Sequence, residues 1–430
     1  MITTYDSRKS RFSLEDNSTV IFKLVFFILW PFGSWILALR SANTRSSFII
    51  FFLFSLLICW HMSPTGYTDG YDDFLGILDR FFVTNYNDSQ IAYDLNAYLS
   101  GEDNAPKEMY ENVMIWFTKS IVGNNYHFYF LLAALPIAFC QLKCIRRIVL
   151  DTRYQANTFY ALMILALFIM PRDIVTVQNP RFATGFWVCT MSSLAFFCDR
   201  RLRLLWAALI SISPFFHSAM IIYVALFYAA VIIPKKKTRW LEICAYISIP
   251  FMFFDADFFS NIGSSLTFLP SSIQGWAERY MSDEAYAKFV AGEGRAGFWW
   301  VSTIFDVAIK GMYILMTLQL IRNKEAVNAN SEAKSFYPVY LMLFSAINMI
   351  QFVPVLGGRY YWFLQVYCLF VWFKAFYPTR KKTAKIMLCC WSWFIARRYL
   401  YFMGGALAIN TPLDLFISPL PYLIGKGLWW

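Results

Sequence analysis

Residues 181–203 read RFATGFWVCTMSSLAFFCDRRLR, and this stretch decides the fold. From Phe182 to Cys198 no residue carries a charge. Such a run falls within the roughly 17–25 residues that a helix needs to cross a hydrocarbon layer. Arg181 stands at one end, and Arg200, Arg201 and Arg203 crowd the other. A cluster of basic residues on one flank is how a membrane helix marks its cytoplasmic side. Just beyond, 204–216 and 217–233 are apolar again. The Ser213-Pro214 pair separating them, together with the shortness of 204–216, predicts a broken or re-entrant helix.

Reading outward gives further apolar runs at 20–39, 47–63, 126–142, 156–171, 240–257, 298–320, 337–354, 360–377 and 386–409. The expectation is an all-α, polytopic integral membrane protein with about twelve transmembrane helices, within a range of roughly 10–13. Helices satisfy their own backbone in lipid, and no alternating β-barrel pattern competes. Composition agrees. Of 430 residues, 58% are hydrophobic and 20% aromatic, and only 15% are charged. A soluble chain carries about a quarter charged residues. That shortfall argues against a cytosolic enzyme, a disulfide scaffold and a disordered chain.

From the third run onward the basic residues alternate sides. Inner loops hold Lys143, Arg146, Arg147 and Arg153; then Arg200, Arg201 and Arg203; then Lys235, Lys236, Lys237 and Arg239; then Arg322 and Lys324; and last Arg380, Lys381, Lys382 and Lys385. The net charge of +11 is thereby spent on orientation and headgroup contact, and nucleic acid is not needed to explain it. Arg8, Lys9 and Arg11 break the alternation. Either the tail is an exception, or the run 20–39, with Pro31 and Gly33, turns back without crossing. The nine cysteines lie in or at the apolar runs and read as small apolar residues rather than bridges or metal ligands.

Two segments, 64–125 and 258–297, are too long for simple connections and are read as extracytoplasmic loops. The first carries ten carboxylates, among them Asp69, Glu108 and Glu111; the second carries Trp276, Arg279, Tyr280 and Arg295. Aromatic rings beside carboxylates suit carbohydrate, since rings stack on sugar faces and acids accept hydroxyls. An interfacial belt of aromatics and a solvated acidic loop are the plainer alternatives.

Charged groups at the edge of an apolar run are costly and therefore candidates for function. On the outer side these are Arg181, His217 and Arg359, with Arg279 and Arg295 on the second loop. Arginine suits a phosphate because its guanidinium is planar, always charged and bidentate. His217, at the break between two runs, is a candidate general base, although a histidine there also serves as a cap. Asp255-Ala256-Asp257 matches a D-x-D metal pattern, which is common by chance. H-E-x-x-H, G-x-S-x-G and a Walker-type loop are missing, so protease, esterase and nucleotide-driven pump readings lack support.

In order along the chain stand Thr68-Asp69-Gly70-Tyr71, Glu108 with Tyr110, and the amphipathic Val113-Met114-Ile115-Trp116-Phe117. These are followed by Arg181 with Ala183, by Phe216-His217-Ser218-Ala219, by Arg359-Tyr360-Tyr361 and by Pro421-Tyr422. This series resembles the EpsG-like family of bacterial polysaccharide polymerases, related to the Wzy-type polymerases. Phe182 departs from the glutamine that often follows the span-opening arginine there. The resemblance implies a multi-pass protein of the bacterial cytoplasmic (inner) membrane. It would join undecaprenyl-diphosphate-linked oligosaccharide units on the outer face, with the growing chain as donor and a new lipid-linked unit as acceptor. The product would be a capsule, O-antigen or exopolysaccharide. A chain-length regulator and a flippase of the same pathway are further implied partners, and no cofactor or metal is expected. Arg181, Arg359, Arg279 and Arg295 are then the expected substrate-binding residues, and His217, Asp69 and Glu108 the expected catalytic ones. A lipid-linked oligosaccharide flippase and a membrane O-acyltransferase are the alternatives; Arg397 and Arg398, inside the last run, are the residues that suit the flippase.

Overall fold

Prolines and charged residues interrupt the apolar runs, and those interruptions set the helix lengths. The computed structural model describes residues 14–42, 44–62, 82, 86–100, 106, 109–149, 180–199, 201–233, 238–253, 299–351, 354–376 and 412–428. They form helices joined by turns, with no strand among them.

The run 20–39 does not make one helix. Proline lacks an N–H and disfavours helical geometry in the residue before it, so α1 (Asn17–Leu29) stops at Trp30 and α2 (Pro31–Arg40) begins. The Trp30 ring then folds over Gly33, where a Cβ would collide with it. Ser34 Oγ donates to the Lys23 carbonyl at 2.8 Å, and Lys23 Nζ reaches Ser41. Along a straight helix residues 23 and 41 would stand about 27 Å apart. The run is a hairpin: of the two readings left open for it, the chain turns back at Pro31.

Lys23 is buried at the base of this hairpin, against α3 (Arg45–Trp60). A buried ammonium needs partners. It has the Glu15 carboxylate and the hydroxyls of Ser41, Thr44 (3.3 Å), Ser46 (3.2 Å) and Ser47 (3.1 Å). Burial pushes the Glu15 carboxyl up, but hydrogen bonds from Lys23 and Ser46 and the Lys23 charge outweigh it. The net position lies below the ordinary 4.5. A carboxylate lowered in the fold contributes stability above its unfolded pKa and loses it as pH falls through the folded one. Protection of residues 14–42 from hydrogen exchange should therefore hold at neutral pH and fall once pH drops below 4.5. Glu15→Gln should remove that dependence, and an unchanged acid profile would refute the assignment.

The segment 64–125 carries helices of its own, α4 (Asp88–Ser100) and α5 (Met109–Val122). α6 (Tyr126–Val149) follows directly. Among the described residues one helix, Tyr126–Arg147, is long and apolar enough to cross a membrane, with 22 residues and a mean hydropathy of 1.8. α7 (Pro180–Cys198) has the length but carries Thr184, Gly185, Thr190, Ser192 and Ser193, which lower its hydropathy. Those small residues also let neighbours approach closely. Phe182, Ala183, Phe186, Trp187 and Cys189 are wholly buried, and α7 packs against α5 and α6. A helix buried all round is the core of its unit.

The predicted break is present. α8 (Arg203–Ser211) gives way to the single turn α9 (Ser213–Phe216), with Pro214 in its first turn, and α10 (Met220–Ile232) starts beyond His217. The chain divides into two units, 1–221 with 391–430, and 222–390.

In the second unit α11 (Thr238–Ser248) runs into a 3₁₀ turn, Ile249–Phe253. α12 (Trp299–Arg322), α13 (Lys324–Asn328), α14 (Ser331–Met349) and α15 (Pro354–Phe376) follow. The buried Glu242 of α11 accepts from Lys324 (2.6 Å) and from the Tyr337 hydroxyl (3.3 Å), and Asn348 donates to Ser248 at 3.0 Å. α11 is thus pinned to α14 near both ends. α15 is the buried helix here: Tyr360, Phe363, Leu364, Val366, Tyr367 and Phe370 are fully covered. The runs expected at 337–354 and 360–377 are shifted, because α14 begins at 331 and α15 at 354. Two short C-terminal helices, α16 (Pro412–Ile417) and α17 (Leu420–Leu428), complete the first unit. Trp30 Nε1 donates to the Phe416 carbonyl at 2.6 Å. The runs 156–171 and 386–409, Asp255-Ala256-Asp257, and Arg397 with Arg398 lie outside the described residues.

Candidate functional site

The site in the first unit starts from α4 and α5. Asp94 of α4 is buried and accepts from the Tyr86 hydroxyl, from Gln90 Nε2 at 2.9 Å and from Asn112 Nδ2 at 3.0 Å. Trp116 Nε1 donates to Asp88 at 2.7 Å. These bonds fix the rotation of α5. Glu111, next to Asn112, lies on the buried stripe it shares with Ile115 and Thr118, the i, i+4, i+7 spacing of one helix face.

Across from it Arg181 occupies the first turn of α7. Arg181 Nε lies 3.0 Å from Glu111 Oε2, with side-chain exposures of 22% and 2%. The geometry is off the hydrogen-bonding line, so this is a charge contact between a covered carboxylate and a partly open guanidinium. The first turn of a helix adds partial positive charge from its N–H groups. Cation and helix end together favour an anion at this spot.

Aromatic residues stand next to both members in the sequence and pack on other groups. Tyr110 packs edge-on against Phe216 at 5.1 Å between centroids, and its hydroxyl accepts from Thr184 Oγ1 at 3.2 Å. Burial pushes the Tyr110 hydroxyl up to about 12, so it keeps its proton at neutral pH. Phe182, next to Arg181, meets the His217 ring edge-on at 5.3 Å. The helix break therefore brings His217, 4% exposed, against the residue beside Arg181.

The tautomer of His217 follows from its own corner. The Ala219 N–H donates to Nδ1 at 3.1 Å, which makes Nδ1 the acceptor and assigns the proton to Nε2. An imidazole so held offers a donor at Nε2. A base there would need the opposite tautomer, with two hydrogens meeting at Nδ1.

Arg359 lies in the second unit, half-buried near the start of α15. Gln351 Nε2 donates to the Gly357 carbonyl at 2.9 Å, and a Cβ on Gly357 would stand 2.7 Å from the Gln351 carbonyl oxygen. Only glycine permits that backbone approach. Gly357→Ala should displace the start of α15 and with it Arg359, costing about 1–3 kcal/mol of stability. A Gly357→Ala protein with the parental melting temperature would contradict this. Asp69, Glu108, Arg279 and Arg295 lie outside the described residues.

The residue that sequence reasoning passed over is Glu111. It was one of ten carboxylates in the first long segment, and the signal that marks it is its place on the apolar face of α5. No family model matches this chain, and no curated protein or solved structure matches it either.

Proposed function

We propose that this chain is a multi-pass enzyme of the bacterial cytoplasmic membrane that polymerises lipid-diphosphate-linked oligosaccharide units on the outer face. The eleven apolar runs after the hairpin are assigned as crossings, some of them broken helices. The α1–α2 hairpin supports the orientation, because it returns the chain to the side of the basic tail and leaves the positive-inside alternation intact. The observation that carries the reading is Arg181: a partly open guanidinium in the first turn of a buried helix, beside the Glu111 carboxylate.

In the reaction an acceptor hydroxyl oxygen bonds to the anomeric carbon of the donor sugar. The bond from that carbon to the diphosphate oxygen breaks, and the lipid diphosphate leaves with the electron pair. The hydroxyl proton goes to a carboxylate. Positioning the partners and stabilising the charge that grows on the leaving group are the main tasks. Arg181 is assigned to the diphosphate, and Arg359, Arg279 and Arg295 are proposed as further substrate-binding residues. His217 is assigned a donor's role through Nε2, and Asp69 and Glu108 are assigned to the acceptor, which they bind and orient.

Glycolipid analysis of a strain lacking the gene tests this. Single repeat units accumulating on the outer leaflet are expected. Units retained inside would mean a flippase, and full-length polymer lacking an acyl group would mean an acyltransferase.

A further inference from the structure

The Arg181–Glu111 contact does more than position an arginine. Resting on the polymerase reading above, we propose that Glu111 is the general base for the acceptor hydroxyl, masked by Arg181 until the donor diphosphate draws the guanidinium away. The pair is lopsided in the way such a mask requires. Arg181 is the open member, in the first turn of α7, and Glu111 is the covered one, clamped on α5 through Asn112 and Asp94. An incoming diphosphate carries more charge than one carboxylate and presents oxygens to the planar fork of arginine. It therefore competes with Glu111 for the same cation. A carboxylate that stays covered while losing its cation gains a strong drive to take a proton.

The acceptor hydroxyl supplies that proton to a Glu111 oxygen as its own oxygen bonds to the anomeric carbon. The leaving diphosphate keeps the electron pair of the broken C–O bond and stays with Arg181. When the diphosphate departs, Glu111 releases the proton to water and the ion pair closes again. Base and anion site are thereby coupled: hydroxyl activation begins only once a donor is bound. His217 fits this arrangement as the neighbouring donor, since its Nδ1 is already committed to Ala219.

The test uses the full-length protein in detergent, with farnesyl diphosphate as the binding probe and polymer formation as the second readout. Glu111→Gln should bind farnesyl diphosphate about tenfold more tightly than the parent, because this carboxylate no longer competes for Arg181. The same variant should lose polymer formation by about 10²–10⁴-fold, the usual worth of a base. Glu111→Asp should restore part of the turnover, and Arg181→Gln should lose both binding and turnover. A merely structural ion pair predicts weaker binding in Glu111→Gln. Weaker or unchanged binding there, or parental turnover, overturns the masked base while leaving the polymerase reading in place. Failure of the unsubstituted protein to bind farnesyl diphosphate counts against that reading itself.

Discussion

Arg181→Lys should lower polymer formation by about 10²–10³-fold, the cost of removing one well-placed donor from a developing anion, while the protein still folds. Lysine keeps the charge and can still meet Glu111, so the 3.0 Å contact between α5 and α7 has a replacement. What it cannot do is present a planar fork to two phosphate oxygens at once. The loss should therefore appear in turnover with lipid-diphosphate donors and leave thermal stability close to the parent. Gel filtration and a melting curve of the same preparation separate the two effects. Normal polymer length in Arg181→Lys would remove the diphosphate clamp from this position.

The second large effect concerns stability and lies in the other unit. Lys374, near the end of α15, is 2% exposed and contacts Glu332 in the first turn of α14 at 2.7 Å, whereas the Glu332 side chain is 29% exposed. Phe370 sits 5.9 Å from the ammonium. Breaking a buried pair costs about 3–5 kcal/mol when the member left behind is the buried one. Glu332→Ala takes that carboxylate from the buried ammonium and should cost up to about 3–5 kcal/mol, the larger of the two losses. Lys374→Met leaves a carboxylate that can still reach water and fills the space with an apolar chain, so it should cost far less. The two melting temperatures, measured in the same detergent, should differ in that order. Equal losses would contradict the asymmetry.

The parts of this fold that could be read in advance are those with sharp charge boundaries. α7 stands out as a charge-free run between Arg181 and the arginines at 200–203, and the break before α10 is written in Ser213-Pro214. The hairpin was visible only as one of two options, because Pro31 signals an interruption and does not say whether the chain bends or reverses; the reversal depends on Lys23 finding its partners up to 24 residues away. α4 and α5 were hidden for a different reason. Their helices mix acids and amides with apolar residues, which gives them the composition of a loop. Arg181 was legible as a cation at the lip of an apolar run. Its partner was not, since Glu111 lies far off in sequence and is marked only by its place on the buried face of α5. The role of His217 needed geometry too, because the Ala219 N–H that assigns its tautomer has no sequence signature.

The central claim is that this chain forms glycosidic bonds at the expense of a lipid diphosphate. It is tested most directly by placing the purified protein in liposomes with a lipid-diphosphate-linked oligosaccharide and resolving the products by size. The account predicts a ladder of oligomers, each step releasing one lipid diphosphate, and the loss of that ladder in Arg181→Lys. Units that stay monomeric, whether they remain in place or cross the bilayer, would contradict it.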